Sequence, residues 1–153
     1  MRLPKEYVIV EIIPSHSSSK AGFIVQLQAL KINDDKIIDR LDLRISEEYI
    51  NNPDLLNMIS YDKEMFTYVN DKEDILREFT RFINKDKLLI IDNYYTIDYL
   101  SSIKNKKESV FKYLKLEFSN DVFDKLIKKY QLEPSNHLVD LLYEAIIFEK
   151  NNK

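Results

Sequence analysis

The chain has 153 residues, 44% hydrophobic and 32% charged. This suits one soluble domain over residues 1–153 and is too apolar for disorder; no run nears the roughly 20 apolar residues of a membrane span, and the N-terminus lacks a signal-peptide layout. Cysteine is absent, glycine occurs once and histidine twice, which excludes disulfides, Cys nucleophiles, glycine-rich phosphate loops and His-rich metal sites, while a net charge of −3 argues against broad attraction to nucleic acid or anionic membrane.

Tyr7 to Ile13 is β-branched and apolar, interrupted only by Glu11, which predicts a strand buried on both faces. Pro14 breaks it, and a Ser-rich loop runs from Ser15 to Lys20. Phe23, Val25, Leu27 and Ala29 alternate with Gln26 and Gln28, so a second strand is expected from about Gly22 to Ile32. Asn33-Asp34-Asp35 is a turn, and Ile37 to Ile45 alternates again as the third strand of a hairpin.

Residues 46–70 are mixed, with a short helix expected from Asn51-Asn52-Pro53-Asp54 to Met58. Asn70 or Asp71 caps the next helix, which places Ile75, Phe79, Phe82 and Ile83 on one face. Leu88 to Ile91 is a short apolar strand ending in Asp92, and a helix is expected around Thr96 to Ser102. Lys104-Asn105-Lys106-Lys107 is a solvated loop, and residues 108–118 fit a strand or a helix turn. Ser119 caps a helix presenting Val122, Phe123, Leu126, Ile127 and Tyr130. A last helix follows Pro134-Ser135-Asn136 and turns Leu138, Leu141, Leu142, Ala145 and Ile146 inward. An antiparallel meander followed by β-α crossovers implies an α/β fold: a mixed sheet with helices on its faces.

Two carboxylates fall where such sheets bind ligands: Glu11 near the end of the first strand and Asp92 at the end of the strand over residues 88–91. Asp98 lies just beyond, and Asp140 is near the start of the last helix. Converging acids repel one another, and a divalent cation or a raised pKa is the usual resolution. The chain has 26 acidic residues, so any one of these is more simply read as a structural surface acid. Glu11 is the exception, because a lone charge within an apolar strand is costly unless satisfied. His16 sits in a polar loop, and His137 reads as a surface helix residue.

Taken in order, these segments resemble the DEDDh 3′–5′ exonucleases, the DnaQ-like group of the ribonuclease H-like superfamily, over nearly the whole chain. Val8-Ile9-Val10-Glu11-Ile12-Ile13-Pro14-Ser15 stands where that family has an apolar strand ending Asp-x-Glu-Thr-Thr-Gly. Ile24 to Leu30 resembles its second strand, and Asp34-Asp35-Lys36-Ile37-Ile38-Asp39 its Asp-Gly-Lys-Ile-Val-Asp turn. Leu76-Arg77-Glu78-Phe79 looks like the helix before its second block, Leu88 to Leu100 like that block, and Phe123 to Phe148 like its two last helices. The resemblance implies a five-stranded ribonuclease H-like sheet in the order 3-2-1-4-5, with only strand 2 antiparallel, Tyr7 to Ile12 central, and helices on both faces.

The chemistry departs from the family's pattern. Glu11 stands at the first Asp and Ile13 at its paired Glu, while Thr96 or, after a small shift, Asp98 takes the second-block Asp. Asp140 keeps the last Asp, and Ser135 replaces the His five residues before it. The resemblance therefore implies a degenerate member, without the family's activity or a cofactor, binding nucleic acid such as single-stranded 3′ ends or a protein partner in the cytoplasm. A purely structural homodimer is a further reading. The alternative is an active exonuclease with Mg²⁺ or Mn²⁺ on a reduced site of Glu11, Asp92 or Asp98, and Asp140. For nucleic acid the candidate surface is Lys104, Lys106, Lys107, Lys112 and Lys115 with Tyr113 for stacking.

Overall fold

The computed structural model describes residues 3–16, 18–20, 22–45, 67–69, 72–83, 88–91, 93–101, 112–115, 124–125, 128–129 and 138–151. Their elements run β1 (Glu6–Pro14), β2 (Ile24–Asn33), β3 (Lys36–Ile45), β4 (Thr67–Val69), α1 (Lys72–Ile83), β5 (Leu88–Ile91), α2 (Tyr95–Ser101), β6 (Lys112–Lys115) and α3 (Leu138–Asn151). Residues 124–125 and 128–129 are also helical. The short helix expected from residues 51–54 to 58 and the Lys-rich loop at 104–107 lie outside the described residues.

The sheet order is β4-β3-β2-β1-β5-β6. β2 is antiparallel to both neighbours, while β1 with β5, β5 with β6 and β3 with β4 pair in parallel. The five expected strands thus stand in the expected order, with β1 interior. The sheet has six strands rather than five, because β4 adds to the outer side of β3. Its three residues are too few to show alternation in sequence. The ambiguous stretch 108–118 contains a strand, β6.

Strand alternation divides the core between two faces. Val8, Val10 and Ile12 of β1 join Leu27, Ala29, Leu43 and Ile45 under Ile75, Phe79 and Ile83 of α1 and Tyr99 and Leu100 of α2. Tyr7 and Ile9 join Leu30, Ile32 and Ile90 under Val139, Leu142 and Ile146 of α3. Helices therefore cover both faces. Each fully buried Ile, Leu or Phe contributes about 1.5–3 kcal/mol of transfer free energy, and β1, apolar on both sides, contributes to both layers. No helix among the described residues is long and apolar enough to cross a membrane.

The β2–β3 turn places Asp34 and Asp35 at φ of 52° and 63°. Two positive φ values match the right-handed strand twist in a tight hairpin, but Asn-Gly or Asp-Gly holds them at lower cost than Asp-Asp. Outside contacts offset that cost. The Asp34 N–H donates to the Lys5 carbonyl at 3.0 Å, and the Tyr143 hydroxyl of α3 donates to the Asp35 carbonyl at 2.7 Å. Lys150 pairs with the Asp35 carboxylate.

The loop from β1 to β2 is latched onto α2. The Tyr99 hydroxyl lies 2.6 Å from the His16 carbonyl and 3.1 Å from that of Ser18. Gly22 passes beneath this hydroxyl, and a Cβ there would sit 2.5 Å from Tyr99 Oη and 2.7 Å from Ser15 Oγ. Gly22→Ala is therefore expected to destabilise the fold by about 1–3 kcal/mol through overpacking. Thermal melts of Gly22→Ala with and without Tyr99→Phe check this: removing the hydroxyl should recover part of the loss.

Candidate functional site

The hairpin register places three cross-strand rows side by side, and their β2 and β3 members share the α3 face. Ile9 stands beside Leu30 and Leu30 beside Arg40; Glu11 beside Gln28 and Gln28 beside Asp42; Ile13 beside Gln26 and Gln26 beside Arg44. The polar residues of β2 and β3 alternate with apolar ones, yet they are not a solvent face. Instead Arg44 is 0% exposed, Gln26 1% and Glu11 4%. A charge this deep is tolerated only with compensating partners, and neither Glu11 nor Arg44 lacks one.

Asp42 is the centre of the resolved hydrogen bonding. Gln26 Nε2 donates to its Oδ1 at 3.1 Å and Gln28 Nε2 to its Oδ2 at 3.2 Å. Burial pushes the Asp42 carboxyl up to about 6, and the Asp140 charge adds to the rise, against the two amide hydrogen bonds and Arg40. Arg40 reaches across to the first turn of α3 and grips Asp140 with both terminal nitrogens, at 2.9 and 2.6 Å. That bidentate fork raises the Arg40 pKa further.

The acids singled out in sequence separate into distinct environments. Glu11 is buried on the α3 side of β1, and Asp140 faces Arg40. Asp98 lies with α2 and belongs to the loop latch: Ser19 donates to it from its N–H and from its hydroxyl, each at 2.8 Å. The Ser19 N–H bond holds the Asp98 carboxyl below its ordinary value. Thr96, the other candidate for the second block, is 0% exposed, and its hydroxyl has no hydrogen-bond partner among the described residues. Ile13 is half-buried at the carboxyl end of β1 and packs against the core on the α1 and α2 side. Among the described residues no three His, Asp or Glu side chains converge so as to hold a metal ion. Asp92, Ser135 and His137 lie outside the described residues.

The expected nucleic-acid surface is described only in part. Lys104, Lys106 and Lys107 lie outside the described residues. Lys112 is exposed on β6, whereas Tyr113 is half-buried against the α1 and α2 core, which raises its pKa. The exposed ring nearby is Tyr94, 66% accessible, with Lys115 Nζ 4.8 Å from its centroid.

Sequence reasoning missed Arg40, Asp42 and Arg44, together with the two glutamines. A regular hairpin on the Asp34-Asp35 turn would set Gln26 and Gln28 opposite Leu43 and Leu41; the bulge at Ile38 shifts them onto Arg44 and Asp42, and alternation in sequence does not show it. No protein-family model matches the chain, and comparison with curated proteins finds no match.

Asp42 sets a pH dependence. Its folded pKa near 6 lies above the ordinary value of about 3.9, so the folded state holds this proton more tightly than the unfolded chain. The resulting stabilisation is full below about pH 4 and is lost as pH rises through about 6. After discounting for partial solvent screening, Asp42→Asn should remove about 1 kcal/mol of that slope. Urea denaturation of both proteins from pH 4 to 8 checks it: the difference between their stabilities should change across this window and stay flat above pH 7.

Proposed function

We propose that this chain is a degenerate ribonuclease H-like domain of the DEDDh exonuclease type, without nuclease activity, that works by binding. The observation that carries this reading is the fork of Arg40 on Asp140. Asp140 is the acid that the family pattern retains, and both its oxygens are engaged by a guanidinium. Two-metal phosphoryl chemistry needs carboxylate oxygens free to hold cations, and the cations must activate a water. A guanidinium neutralises carboxylates, but it has no coordination site for water and stays protonated. Ile13 at the position of the paired Glu, and Ser135 at that of the His, remove a metal ligand and the general base. The strand order with its single antiparallel member supports the scaffold half of the proposal.

The partner proposed is single-stranded nucleic acid at the β6 edge, where Lys112 is exposed and Lys115 lies over the Tyr94 ring. Stacking of a base on an exposed aromatic contributes about 1–3 kcal/mol, and lysines track the phosphates. A protein partner is the other outcome of the binding test.

Purified protein is expected to leave single-stranded DNA and RNA intact with Mg²⁺ or Mn²⁺, followed by gel from a 5′ label. Degradation that Asp140→Ala abolishes would overturn the inactive reading and establish a working reduced site. Fluorescence anisotropy of the same oligonucleotides at low salt should rise with wild-type protein and fall back with Tyr94→Ala and Lys115→Glu. No rise at all would assign the binding role to a protein partner.

A further inference from the structure

β4 pairs only with Leu43 to Ile45 of β3, so among the described residues Lys36 to Asp42 has no strand on its outer side. Lys36 to Arg40 are all exposed. Two of the large apolar residues on the described surface lie here, Ile37 at 37% and Ile38 at 56% exposed. An open edge with exposed apolar side chains is a template for pairing with another edge. The sheet carries two devices at this point. The register slips between Lys31 and Ile32, which leaves Ile38 as an extra residue on β3 and bends the strand. The Asp39 carboxylate also turns back and accepts the Arg40 N–H at 2.8 Å.

We infer that Asp39 keeps the β3 edge from pairing with the same edge of a second copy of this chain. A second copy is the partner held off because two-fold antiparallel pairing lays one patch on its own duplicate. In the register centred on Asp39, two carboxylates face each other directly, and like charges directly opposite oppose strand pairing. The carboxylate further occupies the Arg40 N–H as a donor. Asp39 is therefore the one residue on this edge that combines repulsion with occupation of a backbone donor. This inference is independent of the binding role proposed above.

Sedimentation velocity of the full chain over a concentration series tests it. Asp39→Val removes charge and cap together, and half-association should occur at a concentration at least tenfold lower than for wild type. Asp39→Asn removes only the charge and should fall between the two. Adding Ile38→Lys to Asp39→Val should return the wild-type behaviour. If Asp39→Val does not fold, shown by loss of the far-ultraviolet circular dichroism of wild type, Asp39→Asn with and without Ile38→Lys carries the same comparison. Unchanged association in the folded variants, or association that Ile38→Lys does not reverse, would overturn the inference.

Discussion

Charge enclosed between a sheet and a helix must be neutralised where it lies, and the α3 side of this sheet is built around that constraint. Arg40 of β3 pairs with Asp140 of α3, and Asp42 is held by Gln26 and Gln28 of β2. Burial pushes the Asp42 carboxyl toward its protonated form, which carries no charge to neutralise. The same constraint fixes register. A slip of one residue between β2 and β3 would turn Asp42 and Arg44 into the apolar layer beneath α1 and α2, and would bring Leu41 and Leu43 out of it. The register of the hairpin is thus held by electrostatics on one face and by apolar packing on the other.

The way the charges are settled bears on chemistry. A divalent cation among these carboxylates would leave coordination positions open to water, which is what makes such sites reactive. Arg40 settles Asp140 by closing both oxygens in a planar fork. Asp98 is likewise committed, as the anchor of the β1–β2 loop through Ser19. Both acids are committed to holding elements together.

Most of the fold was legible because its signals are local and periodic. The continuous apolar run of β1, the alternation of β2 and β3, and the i, i+4, i+8 pattern of Ile75, Phe79 and Ile83 each name their element directly. β4 was not legible, since a three-residue strand is defined by its neighbour and not by its own pattern. The site was harder for a related reason. Alternation says which residues of β3 share a face, but whether that face is wet depends on what packs over it. Arg44 alternates with Leu43 and Ile45 in sequence, and it is 0% exposed in the fold. The Arg40–Asp140 pair joins residues a hundred positions apart, and no spacing rule reaches that far.

The placement of α3 follows from three polar ties to one hairpin, the Tyr143 hydroxyl on the Asp35 carbonyl and two ion pairs. Asp140 in its first turn meets Arg40, and Lys150 in its last turn meets Asp35. Ten residues of helix rise about 15 Å, and five residues of strand span about 17 Å, so the two separations match when α3 runs alongside β3 in the opposite direction. The apolar contacts of Val139, Leu142 and Ile146 hold the helix against the sheet but tolerate sliding, because dispersion and burial are not directional. The ion pairs are directional and sit at both ends. Their net strength is modest, since Arg40 and Asp140 are 37% and 23% exposed. They therefore specify where along the sheet the helix rests, while the buried side chains supply most of the free energy that keeps it there.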